Sequence, residues 1–445
     1  MKADLTKGSE RKLILTFSLP IILSQFLQVS YSMADSIIVG NYVGPSALGA
    51  VSVSGPLLWI AHATATGFGT GMNILLAQYF GAKKETKIRQ ALLTIVAFCI
   101  LVSFTLTAFI LWTDDPILTH LLHVPAEMHA DAKSYLVICS FGISFQVLFQ
   151  VLYGACRSFG DANGSLIFLI VAAVMNIFLD LILVPVFGMG VSGAAYASVA
   201  SQLASCIAAY LYLKKNFSFA FPASHSPKCY PREIGPFLKY SLPIVMQLVV
   251  QASGYLFLQR MVNSFGPASI EGFATMDKTE CFIHIPALSV ATAIASFVGQ
   301  NVGAGNYKRA EKGIRFSLRF TVLISVVIGI SMFIFAEPVL RIYNISGEAL
   351  LRGSEHLRIM CILLPVYTVQ QIVNGALQGA GDMSVPVVST FSDLILRLLF
   401  TAIMAPFFDF RSIYLSSIPA WLVACAISVV WYKRGVWKRK RIPAN

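Results

Sequence analysis

Long apolar stretches separated by short polar segments make up almost the whole chain. A helix needs about 20 consecutive apolar residues to cross the ~30 Å hydrocarbon core of a bilayer. Gly, Pro and charged residues lie between the stretches, as expected of loops. The pattern predicts an all-α polytopic membrane protein with twelve transmembrane helices. The predicted spans are residues 13–39, 48–77, 91–112, 131–156, 164–187, 192–213, 236–262, 271–297, 314–337, 351–378, 386–408 and 412–432.

Composition agrees with this class and excludes a soluble globular protein. Of the 445 residues, 56% are hydrophobic and 12% are charged, and the mean hydropathy is +0.72. The net charge of +12 does not indicate a nucleic-acid partner, because the basic residues are not gathered in one domain. Most of them lie in segments that all fall on one side of the predicted spans, which the positive-inside rule makes cytoplasmic. We therefore expect a cell-membrane protein with both termini inside.

The second half of the chain repeats motifs of the first half in the same order and at nearly constant spacing. The matching pairs are SLPI at 18–21 and 241–244, VGPSAL at 43–48 and FGPASI at 265–270, and YGACRSFGD at 153–161 and NGALQGAGD at 374–382. Each half contains an even number of spans, so the halves start on the same side of the membrane. A pseudo-two-fold axis along the membrane normal is the expected relation between such halves.

This repeat predicts two six-helix lobes that face each other across a central cleft, an architecture suited to alternating access. The central basic stretch is the expected linker, and we expect a monomer. The predicted divisions are a first lobe at 1–213, a cytoplasmic linker at 214–235, a second lobe at 236–432 and a basic cytoplasmic tail at 433–445.

Polar side chains inside the first predicted lobe form one candidate cluster. Asp35 interrupts span 1, and span 5 carries Asn176 and Asp180 four residues apart, on one helical face. Ser198 of span 6 and Asp180 are each nine residues from Met189 in the intervening turn, so a helical hairpin places them at similar depth. A buried carboxylate stays ionised only beside a cation or donors, and otherwise takes up a proton. The cluster is therefore a candidate ion site. The structural alternative is that Asp35 lies at the membrane interface, while Asn176 and Asp180 only bridge helices.

Several motifs resemble the multidrug and toxic compound extrusion (MATE) family of cation antiporters over essentially the whole chain. The motifs are ADSIIVGNYVG, QYFGA, GACRSFGD, NIFLD and GVSGAAYAS. In that family an aspartate of span 1, an Asn-x-x-x-Asp pair of span 5 and a hydroxyl of span 6 form a cation site. The resemblance thus implies coupling roles for Asp35, Asn176, Asp180 and Ser198, although the family hydroxyl is often Thr.

A sodium-coupled branch of the same family adds acids in spans 7 and 10. The positions that match by spacing are Gln251 and Tyr367 here, and neither supplies a charge. Coupling through the first lobe is therefore the expectation.

Spans 8 and 11 carry further charges whose role the sequence leaves open. Asp277 and Glu280 share a face of span 8 with Lys278 on the adjoining one, while Asp393 and Arg397 have the spacing of an intrahelical ion pair. One interpretation is that these charges neutralise one another inside the protein. The other is that the acids face a cationic substrate.

The resemblance and the predicted architecture together indicate a secondary active multidrug exporter. It would exchange amphipathic organic cations for protons or sodium ions by alternating access, with small-molecule cations and the lipid bilayer as its partners. A flippase for a lipid-linked sugar is the alternative within transport, but it predicts a more cationic interior than this chain has.

Enzyme chemistry finds little support in the sequence. A membrane-embedded enzyme would need a nucleophile with its base, or a metal motif such as H-E-x-x-H, and we find neither. No P-loop occurs, and the eight Cys residues form no C-x-x-C pair. We expect no enzymatic activity, no cofactor and no metal.

Overall fold

A computed structural model describes residues 4–121, 124, 126–221 and 229–439, and within these ranges the regular structure is helical, with no strand. Each predicted span overlaps one long helix, which confirms the predicted fold class. The twelfth span, predicted at 412–432, is divided into a short helix and a long one. The helices are α1 Glu10–Tyr42, α2 Pro45–Gly81, α3 Glu85–Pro116, α4 Ala126–Ser158, α5 Ala162–Leu183, α6 Gly190–Asn216, α7 Ile234–Asn263, α8 Pro267–Gly303, α9 Tyr307–Ile334, α10 Ala336–Arg341, α11 Gly347–Gly379, α12 Ser384–Phe408, α13 Ser412–Leu415 and α14 Ser417–Arg434.

Ten helices in the described part of the chain are long and apolar enough to cross a membrane. They are α1, α3 to α9, α11 and α12; α2 and α14 are the long helices outside this set. Large apolar side chains such as Leu101, Phe104 and Trp112 of α3 are exposed. Such side chains suit acyl chains rather than water, so the protein is a multi-pass membrane protein.

The second helix of each half is preceded by the same backbone conformation. Gly44 and Gly266 have φ of +108° and +89°, a region that L side chains rarely adopt, and each precedes a proline in the first turn of its helix. The helices that follow, α2 and α8, have 37 residues each. The two glycines lie in the repeated motifs VGPSAL and FGPASI, so the internal repeat seen in the sequence recurs in the fold.

Helix packing repeats in the same way. A Cβ on Gly154 of α4 would clash with the carbonyl oxygen of Gly69 of α2, and one on Gly375 of α11 would clash with that of Ala291 of α8. Without a hydrophobic driving force between helices in lipid, close backbone approach at small residues provides the packing energy. Both halves therefore pair their second and fourth long helices at equivalent glycines.

The chain divides into two compact units. Unit 1 is Met1–Asp4 with Leu23–Val245, and unit 2 is Leu5–Ile22 with Met246–Asn445. The division cuts α1 shortly after Pro20 and α7 shortly after Pro243, which are equivalent positions of the repeat. The predicted lobe boundaries stay a prediction, and residues 222–228 of the predicted linker and 440–445 of the predicted tail lie outside the described residues.

In unit 2, the segment before α1 is anchored on α8 and α9. The backbone N–H of Leu5 donates to Gln300 Oε1 at 3.0 Å, and its carbonyl oxygen accepts from Asn301 Nδ2 at 3.1 Å. Arg309 donates to the carbonyl oxygens of Lys7 and Gly8 at 3.0 and 2.7 Å. These bonds satisfy backbone groups that precede the first helical turn.

In unit 1, the segment before α7 is anchored on α2 and α3. Glu233 accepts a hydrogen bond from the hydroxyl of Tyr79 at 2.8 Å and pairs with Lys87 at 3.1 Å. The hydroxyl of Tyr240 donates to Gln78 Oε1 at 3.2 Å. Gln78 is the repeat equivalent of Gln300, so each half uses the same glutamine position for an anchor.

Candidate functional site

Helix α5 is held in place at its start by an aspartate. Asp161 Oδ1 accepts from the backbone N–H of Gly164 at 2.9 Å, the interaction of an N-cap. Its Oδ2 accepts from the hydroxyl of Tyr212 on α6 at 2.7 Å. This double contact fixes α5 against α6, and so fixes the direction in which Asn176 and Asp180 point farther along α5.

The acidic side chains of α1 and α5 meet inside unit 1. The carboxyl groups of Asp35 and Asp180 are close enough for a side-chain hydrogen bond between them. Asp180 is fully buried. Two ionised carboxylates only accept hydrogen bonds, so this contact is favourable when they share a proton or face a common cation.

The surroundings of this acidic pair provide few hydrogen-bond donors. Asp35 Oδ1, both carboxyl oxygens of Asp180 and Asn176 Oδ1 are buried without a hydrogen-bond donor among the described residues around them. Buried acceptors without donors are costly in a folded protein. An oxygen-rich group of this kind has the chemistry to take up a proton or a small monovalent cation.

Ser198 lies on the side of α6 that faces α5. The hydroxyl of Ser205 donates to the carbonyl oxygen of Phe168 on α5 at 2.6 Å. Ser198 precedes Ser205 by seven residues, two helical turns, and so shares its face. The structure therefore places the four candidate residues of the first lobe on three helices of one unit, with Asp35 and Asp180 in mutual contact.

Apolar side chains border the acidic pair. Val39 of α1 and Val184, the residue that follows α5, each lie four residues beyond an acid. They join Val191 of α6 in one buried cluster, with Tyr135 of α4 packed against it. Tyr135 lies within electrostatic reach of both acids. The sequence pattern did not identify Tyr135, because it is neither charged nor part of a spaced motif.

A second group of candidates lines a cavity of about 280 Å³ within unit 2. The candidates that line it are Gln251, Asp277, Glu280, Tyr367, Asp393 and Arg397. Lys278 is exposed and does not line this cavity. Side chains from four helices, α7, α8, α11 and α12, are thus brought together, although they are far apart in the sequence.

The acids of this cavity have three different kinds of partner. Arg397 Nη2 lies 3.5 Å from Asp393 Oδ1, so the predicted intrahelical pair is present in α12. Glu280 Oε1 lies 3.4 Å from Nε2 of His284, one turn along α8. Tyr255 of α7 donates its hydroxyl to Asp277 at 3.3 Å.

Aromatic rings form one wall of the same cavity. The ring of His284 stacks on Tyr367 with centroids 4.0 Å apart and planes 20° apart. Trp421 of α14 lies 5.1 Å from Tyr367 and 5.6 Å from the guanidinium of Arg397. Sequence reasoning missed Trp421, because a single Trp in an apolar span is ordinary.

The described residues of the two units offer no cluster of metal-binding side chains. Within the described ranges, no group of three or more His, Cys, Asp or Glu side chains is arranged to hold a metal ion.

Comparison with known families gives a match to both halves of the chain. The MatE family model matches residues 20–182 and 243–403. The two matched regions start at Pro20 and Pro243, which are equivalent positions of the internal repeat. They contain all the site residues predicted from the sequence except Ser198, and Trp421 also lies outside them.

Relatives of similar length match over nearly their whole sequence. The probable multidrug resistance protein YpnP of Bacillus subtilis (strain 168) is 29% identical, over 99% of this chain and 99% of the relative. The probable multidrug resistance protein NorM of Thermotoga maritima is 25% identical, over 97% of this chain and 95% of the relative.

Solved structures match the fold over the same extent. A multidrug resistance MATE family transporter of the MOP superfamily in an outward-facing conformation has a TM-score of 0.92 at 22% identity, covering 99% of both chains. A MATE protein in complex with MaD3S has a TM-score of 0.91 at 22% identity, covering 98% of both chains. These similarities agree with the twelve-helix, two-lobe architecture predicted from the sequence.

Proposed function

Because this chain belongs to the MatE family of multidrug transporters, we propose that it exports amphipathic organic cations in exchange for protons or sodium ions. Membership makes it a multi-pass membrane transporter of small molecules. The nature of the substrate as a cation, the antiport with an ion and the alternating access of two lobes are parts of the proposal. So are its location in the cell membrane, its cytoplasmic termini and its action as a monomer.

One observation carries this proposal: the contact between the carboxyl groups of Asp35 and Asp180, among buried oxygens that lack donors. Negative charge in a low-dielectric site must be compensated, either by a proton or by a bound cation. Asn176, on the same helix as Asp180, adds a neutral amide oxygen, and Ser198 of α6 adds a hydroxyl oxygen. We assign this group of four residues to the coupling ion, and name it the ion site.

The position of Asp35 along α1 supports an influence of ion binding on conformation. Asp35 is on α1, a helix whose residues up to Ile22 belong to unit 2 and whose remaining residues belong to unit 1. Ion uptake that favours one orientation of α1 would therefore bias one conformation of the transporter. An ion drives transport in this way only when its affinity differs between the two conformations.

The cavity of unit 2 supports a cationic rather than an anionic substrate. Three acids and one arginine line it. A flippase for a pyrophosphate-linked sugar would place a polyanion beside this acid excess, at an electrostatic cost. The charge balance therefore favours organic cations.

Replacement of either acid of the ion site by its amide is the direct test. We expect Asp35→Asn and Asp180→Asn to reduce gradient-driven dye efflux from proteoliposomes at least tenfold, because an amide keeps the shape and cannot release a proton or attract a cation. An inward proton gradient and an inward sodium gradient are imposed separately, so the assay also identifies the ion.

Asp131→Asn, at an exposed acid of α4 in the same unit, is the matched control and should transport like the wild type. Full gradient-driven efflux by both amide variants would refute the coupling role.

A further inference from the structure

A groove on the surface of unit 1 is lined by apolar side chains and ends beside two basic ones. We propose that this groove binds an anionic phospholipid of the surrounding bilayer, with an acyl chain along the groove and the phosphate group between Arg89 and Lys214. The inference does not depend on the proposed export function, because lipid binding is measured without a transported molecule and without an ion gradient.

Three helices of unit 1 form the groove. Helices α3 and α6 both pack against α4, and residues of all three line a cavity of about 450 Å³. A cavity of this size is within the range of ligand-binding pockets. None of the described residues that line it is charged, and Tyr210 provides its one hydroxyl group. The interior of the groove therefore suits a hydrocarbon chain.

The groove is open to the surface that faces lipid. Ile207 and Tyr210 of its lining are 49% and 43% exposed, and Leu203 and Leu211 of the same helix are exposed beside them. Apolar surface of this kind contacts acyl chains in a bilayer. Because lipid tails are as apolar as the groove, burial there gives little preference for one lipid over another. Selectivity must come from the headgroup.

Two cations lie at the end of the groove where α3 begins and α6 ends. The Nε–H of Arg89 donates to the carbonyl oxygen of Phe219 at 3.2 Å, two residues before Phe221 of the lining. Lys214 Nζ lies 5.7 Å from the ring centroid of Tyr210, and that ring packs edge-on against Phe221. Both positive charges are thus held at the same end of the apolar lining.

Neither cation is neutralised by an acid among the described residues. The hydrogen bond to Phe219 uses one of the five N–H donors of Arg89, and its Nη groups have no described partner. Lys87, two residues before Arg89, is by contrast paired with Glu233 at 3.1 Å. Basic side chains at a membrane surface attract anionic lipids, and a guanidinium can bind a phosphate through two hydrogen bonds. An anionic headgroup would supply the missing negative charge.

The equivalent position of unit 2 has the opposite charge. When AQYFGAKK at 77–84 is aligned with GQNVGAGN at 299–306, the residue of α9 that corresponds to Arg89 is Glu311. Glu311 pairs with Lys438 at 3.1 Å and lies 3.9 Å from Arg315. A carboxylate at this position repels a phosphate group. The site therefore belongs to unit 1 and is not a general feature of the repeat.

Competition between two phospholipids with identical acyl chains tests the inference. The purified full-length protein is incubated with equimolar phosphatidylglycerol and phosphatidylcholine, and the lipids that stay bound are identified by native mass spectrometry. We expect the wild type to retain phosphatidylglycerol in roughly tenfold excess. The Arg89→Gln, Lys214→Gln double variant should retain both lipids equally, because it has lost both charges. Arg89→Lys keeps the charge and should keep most of the preference.

Two matched controls separate the site from general effects of charge and bulk. The Lys308→Gln, Lys312→Gln double variant removes two exposed charges from α9 in unit 2, and should keep the preference. Ile207→Trp narrows the groove without changing charge, and should lower the amount of retained phosphatidylglycerol severalfold. Leu211→Trp, at an exposed residue outside the lining, should not lower it.

Thermal unfolding confirms that the variants are folded and gives a second readout. Phosphatidylglycerol should raise the unfolding midpoint of the wild type above its value in phosphatidylcholine, because a ligand that binds the folded state stabilises it. The Arg89→Gln, Lys214→Gln double variant should unfold at one midpoint in both lipids.

Four outcomes would overturn the inference. The first is an unchanged preference for phosphatidylglycerol in the Arg89→Gln, Lys214→Gln variant, and the second is undiminished retention by Ile207→Trp. The third is displacement of the lipid by glycerophosphoglycerol, the same headgroup without acyl chains, which would assign the cations to a soluble phosphate compound. The fourth is a dimer that Ile207→Trp dissociates, which would give the groove to a second copy of this chain.

Discussion

Asp35 and Asp180 bring two acidic groups from separate helices into contact at a place where donors are scarce. Asn176 shares the buried face of Asp180 and contributes an amide oxygen that also lacks a donor in the described part of the chain. In such a group, each oxygen that contacts the ion raises the affinity for the ion, because a buried oxygen without a partner loses an interaction. Asn176, one of the two neutral members of the ion site, is therefore expected to set ion affinity rather than the ability to couple.

Replacement of Asn176 by Leu tests this division of roles. We expect gradient-driven efflux to persist in Asn176→Leu but to require a roughly tenfold higher concentration of the driving ion for half-maximal rate, equivalent to about 1.4 kcal/mol. The rate is measured as a function of sodium concentration or of external pH. An unchanged ion dependence would remove Asn176 from the ion site.

Residue spacing was enough to predict part of this arrangement. The four-residue interval predicted that Asn176 and Asp180 share a face, because helical period alone decides it. It could not predict the contact of Asp180 with Asp35, which depends on how α1 packs against α5. The contact of Asp277 with Tyr255 on α7 also depends on helix packing. His284 follows Glu280 by four residues, a spacing that places both on one helical face and that could have identified this pair.

At the scale of whole helices, the length of each apolar stretch predicted where helices lie. Span 1 was predicted at 13–39 and α1 runs Glu10–Tyr42, about one turn longer at each end. Helices extend past the apolar stretch because polar residues at a membrane interface continue the backbone hydrogen bonding. The division of α1 and α7 between the two units was not predicted, since it depends on contacts such as Leu5 with Gln300, 295 residues apart.

The close approach of α8 and α11 gives a prediction about stability. We expect Gly375→Ala to destabilise the protein by about 1–3 kcal/mol, because the added Cβ would overlap the carbonyl oxygen of Ala291. The readout is a lower midpoint of thermal unfolding in detergent. Gly235→Ala, in the first turn of α7, is the matched control: its Cβ meets open space, so the midpoint should not fall. Equal midpoints for the two variants would contradict the packing argument.

The anchor of the segment before α1 gives a second prediction at this scale. Arg309 binds the carbonyl oxygens of Lys7 and Gly8, so Arg309→Ala should release this segment. We expect trypsin to cleave after Lys7 or Arg11 several times faster in this variant, as measured by mass spectrometry of the released peptides. Arg315→Ala, at an exposed arginine of α9, should leave the cleavage rate unchanged. Equal rates in wild type and Arg309→Ala would show that the anchor does not restrain the segment.

At the scale of the whole molecule, the two halves share an architecture but contain different polar groups. In both halves, a glycine with positive φ precedes the second helix, and the second and fourth long helices pair in the same way. Unit 1 contains the contact of Asp35 with Asp180, whereas unit 2 contains an acidic, aromatic cavity with a fixed arginine. The repeat predicted the shared architecture. It could not predict that these polar groups differ, because the difference lies in a few substitutions at equivalent positions. Carboxylate oxygens alone do not distinguish a proton from a sodium ion.

The most direct test of coupling is the direction of dye flux in proteoliposomes when the ion gradient is reversed. If ion movement through Asp35 and Asp180 drives export, dye should move against its own concentration gradient in the wild type, and its net direction should reverse with the ion gradient. The Asp35→Asn, Asp180→Asn double variant should only let dye equilibrate, with no response to either ion. Uphill dye movement by the double variant, or a wild-type flux that ignores the direction of both ion gradients, would contradict the account.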